Sequence, residues 1–179
     1  MYGQHGQAET YSRGRQAELK ALPILRAWFK SSAHPTLPGS LEDRNGTDLY
    51  VNHNGARTSV DVKAVKMHAP EQILLEHVNN SGNPGWAHRS GFAAIFVSDT
   101  DLVLVPKRML SLLLNDPRKF DWSVPATRKP REYAENFKAY QRPENQDVVT
   151  YVPLAQVMKL LGSVRIRWNA QIQTVSEVK

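Results

Sequence analysis

The chain has 179 residues, 41% of them apolar, enough to build one compact folding unit with a real core. Lys and Arg number 23 against 17 Asp and Glu, leaving a formal charge of +6, so the average surface attracts anions, of which nucleic acid is the commonest large one. The absence of cysteine excludes disulfides, thiolate metal sites and cysteine nucleophiles, and no stretch approaches the roughly 20 apolar residues of a membrane span.

Residues 1–10 are polar and rich in Gly and Gln, the composition of a loose arm rather than of a secretory signal, so a cytoplasmic protein is expected. From Tyr11 to about Ser31, Leu19, Leu22, Ile24, Leu25, Trp28 and Phe29 recur at helical spacing among charged residues and predict an amphipathic helix, with Pro23 as a kink or break. The Pro- and Gly-rich run from Ala33 to Gly39 reads as a loop. Strands are expected at Asp48–Asn52, Thr58–Lys66, Ile73–Val78, Ala93–Ser98 and Leu102–Val105, and Asn54-Gly55 between the first two is a strong hairpin signal. Lys107–Leu114 reads as a helix, 115–130 as a Pro-punctuated basic loop, and Arg131–Tyr140 as helical. Val148–Tyr151 and Val164–Trp168 read as strands around a helix at Pro153–Leu161, which has Pro in its first turn and Gly162 just past its end. No repeat or internal boundary is visible, so one domain is expected over 11–179.

The informative stretch is Gly46-Thr47-Asp48-Leu49-Tyr50-Val51, a turn, and then Ser59-Val60-Asp61-Val62-Lys63-Ala64. Side chains alternate across a strand, so Asp61 and Lys63 share one face while Val60, Val62 and Ala64 share the other. A hairpin partner can bring Asp48 beside them, and two adjacent carboxylates repel unless a cation lies between them. The same pattern also fits the solvated face of a half-exposed strand, with Glu18 a surface residue of its helix. Glu76, or Glu42 and Asp43, are alternative acids.

This arrangement resembles the PD-(D/E)XK nuclease superfamily, in which a strand acid is followed one strand later by an acid-x-Lys triplet. Asp48 matches the first acid, and Asp61-Val62-Lys63 matches the triplet. Gly14 and Glu18 look like the helical Gly and Glu that Holliday-junction resolvases place before the sheet. Thr47 stands where the name-giving proline would be. The likeness runs over about residues 11–105 and implies a restriction-endonuclease-like α/β (α+β) core: a mixed central sheet of four to five strands flanked by helices, followed by a helical, basic C-terminal elaboration over 106–179.

The resemblance further implies a metal-dependent endonuclease acting on DNA, branched or structured DNA included, in a setting such as phage DNA processing, recombination or defence. Asp48, Asp61 and the Val62 carbonyl would hold Mg²⁺ or Mn²⁺, since hard cations take oxygen ligands. Lys63 would orient the attacking water or stabilise developing charge, and Glu18 would complete a second metal site or hold a water. Arg13, Arg15, Lys20, Lys66, Lys107, Arg108, Arg118, Lys119, Arg128, Lys129 and Arg131 are expected on backbone phosphates, and Trp86, His88 and Arg89 form a candidate loop for contacting or stacking on DNA. Cutting both strands requires two sites, hence a homodimer. The alternative keeps the fold without the chemistry: an inactive module binding nucleic acid or a protein.

Overall fold

The computed structural model describes residues 4–44, 47–64, 72–122, 127–128, 135–141 and 146–178, with side chains left out at 4–13, 43–44 and 127–128. In chain order the elements are α1 (Gln4–Phe29), β1 (Ala33–Pro35), α2 (Leu41–Arg44), β2 (Leu49–His53), β3 (Ala56–Ala64), β4 (Gln72–Val78), a 3-10 turn at Trp86–His88, β5 (Phe92–Phe96), β6 (Asp101–Pro106), α3 (Lys107–Leu114), β7 (Thr127–Arg128), β8 (Tyr140–Gln141), β9 (Val148–Pro153), α4 (Leu154–Val157), β10 (Val164–Asn169) and β11 (Thr174–Glu177). The chain divides into two compact units, one made of 1–65, 91–104 and 164–179, the other of 66–90 and 105–163. Among the described residues no helix is long and apolar enough to cross a membrane.

The first unit is built on a curled seven-stranded mixed sheet in the order β1-β2-β3-β5-β6-β10-β11. Helix α1 runs through Pro23 and begins at Gln4, well inside the stretch expected to be a loose arm. Its buried stripe is Ala17, Ala21, Ile24 and Leu25, one position every three or four residues, with Leu22, Trp28 and Phe29 packed alongside. Those side chains meet Ala33, Leu49, Val51, Val60, Val62, Ala94 and Phe96, all on one face of the sheet. Because strand residues alternate, this burial commits Tyr50, Asp61 and Lys63 to the opposite face. Strands β2 and β3 form a hairpin closed by Asn54 (φ 50°) and Gly55 (φ 76°), the pair of positive angles that matches strand twist. Strand β3 then pairs in parallel with β5, so Asp61 lies beside Ala93 and Lys63 beside Ile95.

The second unit holds the sheet β4-β9-β8-β7, in which β4 and β9 pair antiparallel from Gln72–Pro153 to Val78–Val148. Tyr140, Val149 and Tyr151 form a small buried cluster with Leu74 packed against it. Helix α3 turns Leu110, Leu113 and Leu114 inward.

This architecture corrects the expected restriction-endonuclease-like core of four to five strands flanked by helices. The chain is mostly β, and its main sheet has seven strands. The region after 105 is not a helical extension: β9, β10 and β11 lie there, α4 is only four residues long, and residues 135–141 carry no helix. The extra strands escaped the pattern for a physical reason. Strand β1 lies in the Pro-rich run, and β11 is a polar, largely exposed edge, so neither shows apolar alternation.

Candidate active site

Asp48 stands just before β2 and is fixed at two points on β3. Its N–H donates to the Val60 carbonyl at 3.1 Å, and its Oδ2 accepts from the Val62 N–H at 2.6 Å. These contacts carry the Asp48 carboxyl over Asp61, the residue between the two anchors. Lys63, two residues along the same face, places its Nζ 2.5 Å from Asp61 Oδ1. The two acids and the lysine are therefore gathered on one side of one sheet, by the hairpin register and by the apolar face that sets it.

The electrostatics of this group are unusual. Asp61 is 0% exposed, and its neighbours Ala93 and Ile95 on β5 are buried hydrophobics. The Asp61 carboxylate meets the Lys63 ammonium, whose side chain is 36% exposed, and the Asp48 carboxyl; the ion contact with Lys63 is what offsets its charge. Burial, then the nearby Asp61 charge, push the Asp48 carboxyl from its ordinary 3.8 up to about 7, while Lys63 and the Val62 N–H pull the other way. Asp48 thus holds its proton well above the usual carboxylate range, as expected when two carboxyl groups share a buried site.

Glu18 sits on α1 in an ion pair with Arg15, 2.5 Å away and one helical turn back. Among the described residues no group of three or more His, Asp or Glu side chains gathers to hold a metal, so Glu18 does not complete a cluster with Asp48 and Asp61. Two carboxylates remain as candidate ligands. The Val62 carbonyl leaves β3 on the same edge as its N–H, the edge Asp48 occupies, because both groups of one strand residue point the same way.

The residues expected on DNA are spread more widely. Trp86 is 6% exposed, its N–H donating to Glu76 Oε2, and this burial takes it out of the base-stacking role. His88 is held inside the second unit: its Nε2 lies 2.9 Å from His77 Nδ1 and its Nδ1 2.9 Å from Ser111 Oγ. His77 in turn stacks flat on Trp122, ring centroids 3.7 Å apart. Burial and the neighbouring His88 lower His77 to about 4, and burial lowers His88. Lys107, 1% exposed, is a core residue rather than a phosphate contact. Arg118 forks onto Asp116, Lys20 meets Asp99, and Lys119 lies over the Phe137 ring, whereas Arg108 is exposed and Arg89 half-buried. Lys66, Lys129 and Arg131 lie outside the described residues, as do the side chains of Arg13 and Arg128.

Arg57 and Tyr50, which the sequence motifs do not single out, lie on the face that carries Asp61. The alternation Arg57, Ser59, Asp61, Lys63 continues one face of β3 without interruption. No protein-family model matches the chain, and neither a curated protein nor a solved structure does.

Proposed function

We propose that Asp48, Asp61 and Lys63 form the centre of a metal-dependent phosphodiesterase, an endonuclease of the PD-(D/E)XK type acting on DNA. The observation that carries this reading is the Asp61 carboxylate, fully buried and pressed against a second carboxyl group with the Lys63 ammonium beside it. Burying such a pair costs several kcal/mol unless a cation neutralises it, and Lys63 supplies one positive charge for two acids. The donor set is all oxygen, which fits Mg²⁺ or Mn²⁺, and a cation held by only two carboxylates and a carbonyl retains waters of its own. When bound, the ion supplies Lewis acidity, making water more acidic and stabilising negative charge on phosphate.

The chain's own groups have distinct tasks. Asp48 and Asp61 provide the negative charge that selects a divalent ion. The Val62 N–H orients Asp48 by its hydrogen bond, so the carboxyl cannot rotate away. The ammonium of Lys63, partly open to solvent, is placed to hold an attacking water or to meet charge developing on the phosphoryl oxygens. Hydrolysis breaks one P–O ester bond, leaving one fragment of the cut strand with a hydroxyl end and the other with a phosphate end. Cutting both strands of a duplex calls for a second copy.

The test incubates purified protein with plasmid and branched DNA in Mg²⁺, Mn²⁺ or EDTA. Cutting requires the metal and falls by more than about a hundredfold in both Asp61→Asn and Lys63→Ala, the scale of loss when a group acting on transition-state charge is removed. DNA binding without cutting in any metal would replace this reading with that of an inactive binding module.

A further inference from the structure

On the face that carries Asp61, one sheet edge is hollowed into a cavity of ≈ 160 Å³ lined by Ser32, His34, Tyr50, Val51, Asn52 and Arg57. At about 30 Å³ per water this is room for several waters, or for a phosphate group with some left over. The register explains how it forms. His34 pairs with Tyr50, Asn52 with Arg57, and Tyr50 with Ser59, so these side chains project from the same side of β1, β2 and β3. Ser59 is two residues from Asp61 on β3, which puts the Tyr50 row about 7 Å along the strand from the acid pair.

Arg57 decides what the cavity suits. Its guanidinium lies 3.6 Å from the centre of the Tyr50 ring and makes no hydrogen bond or ion pair with any described side chain. Stacking on a ring fixes the guanidinium plane and leaves its N–H fork directed outward, the geometry that receives two oxygens of one phosphate. Asn52 and Ser32 are already bonded to each other, Nδ2 to Oγ at 3.1 Å, and shape the wall, while His34 is exposed at the rim. Arg57 is exposed, so its outward N–H groups meet solvent and are open to an anion, while the contact with the Tyr50 ring holds the guanidinium in place; Arg26, by contrast, spends its N–H groups on the Ala33 carbonyl.

We infer that the Arg57–Tyr50 stack seats a backbone phosphate of the bound DNA strand, about two to four nucleotides from the phosphate at Asp48, Asp61 and Lys63. The spacing follows from the strand rise, against 3.4 Å of axis per nucleotide in one DNA strand. This rests on the phosphodiesterase reading for what lies next door, but the seat itself needs only the strand.

The experiment measures binding of a short fluorescein-labelled DNA strand by anisotropy in EDTA across a salt series, beside cutting of the same strand in Mg²⁺. Arg57→Ala is expected to weaken binding about tenfold and to lower the slope of log affinity against log salt by about one, the mark of one lost phosphate contact. Arg57→Lys keeps the slope but not the full affinity, because it retains charge and loses the fork. Replacing single phosphates by neutral methylphosphonates in turn should locate one position whose effect disappears in Arg57→Ala. Arg57 is exposed, so its variants are expected to fold, and melting temperature checks that they do. Wild-type affinity and salt slope in Arg57→Ala overturn the seat, even if cutting is intact. The Arg57 effect in a protein that never cuts supports the seat and removes the phosphodiesterase reading alone.

Discussion

Asp48→Asn is the substitution whose outcome follows most directly from the geometry. The amide keeps the size of the carboxyl, its oxygen still accepts the Val62 N–H, and its NH₂ donates to Asp61 where a second carboxylate would repel it. In the wild type the folded state holds Asp48 at about 7 against 3.8 when exposed, so between those values the native chain binds a proton that the unfolded chain has lost. Stability is therefore greatest below pH 3.8 as far as this group is concerned, and declines as pH rises toward 7. From pH 5 to 7 the loss is roughly 3 kcal/mol at about 1.4 kcal/mol per pH unit. Urea unfolding at pH 5 and pH 8 measures it: the wild type should weaken between them by up to about 3 kcal/mol, while Asp48→Asn stays level and exceeds the wild type at pH 8. Mg²⁺ at a hundred times its Kd should return about 2.7 kcal/mol to the wild type at pH 8 and little to the variant. Wild type and Asp48→Asn curves that run parallel from pH 5 to 8 would refute the idea that the two carboxyl groups share one dehydrated site.

Acidification should act separately through His77, held at about 4 against an ordinary 6.5: its contribution is present above 6.5 and is lost as pH falls toward 4. His77→Phe, which keeps the stack on Trp122, should flatten that loss by about 1–2 kcal/mol in urea unfolding between pH 7 and pH 5. Gly91→Ala should destabilise by about 2–4 kcal/mol in thermal or chemical unfolding, because a Cβ there meets the Ser59 carbonyl and hydroxyl at a φ of +90°. Asp101 accepts four hydrogen bonds from Arg165 and Arg167, which hold it near 2; Asp101→Asn should cost about 2 kcal/mol at neutral pH, and in the wild type that contribution is present above pH 3.8 and fades only as pH falls through 2.

The centre of the candidate site was legible because it depends on local rules. Alternation along Ser59–Lys63 and the Asn54-Gly55 turn are enough to place Asp61, Lys63 and Asp48 near one another, and α3 was readable from its Leu spacing and flanking proline. What alternation could not show is depth. Nothing in Asp-Val-Lys distinguishes a solvated carboxylate from one at 0% exposure; that difference belongs to the tertiary arrangement, in which Asp61 stands beside the buried Ala93 of a strand some thirty residues later. Likewise His88 and Lys107 read as surface groups because their residue types often are, and Trp86 reads either as a base-stacking group or as packed over the sheet, whereas Glu76, His77 and Ser111 supply partners that only the tertiary arrangement reveals. The sheet was underestimated for the same reason. Asp101 lies just outside the strand expected at Leu102–Val105, yet it clasps two arginines of a strand more than sixty residues away.

The threading of the larger sheet bears on how the chain reaches its native state. Strand β5 cannot take its place beside β3 until 66–90 has been looped out, and β6 waits for β10 until 105–163 has done the same. Both excursions are long closures whose entropy is lost before the pairing returns any enthalpy, which predicts slow acquisition of the sheet relative to α1 and the β2–β3 hairpin. Asp61 belongs to the early hairpin but acquires its buried surroundings only with the late strand. During refolding its carboxylate would stay hydrated until nearly the last step, so the two acids, already adjacent in the hairpin, lose their water only after most of the driving force for folding has been gathered.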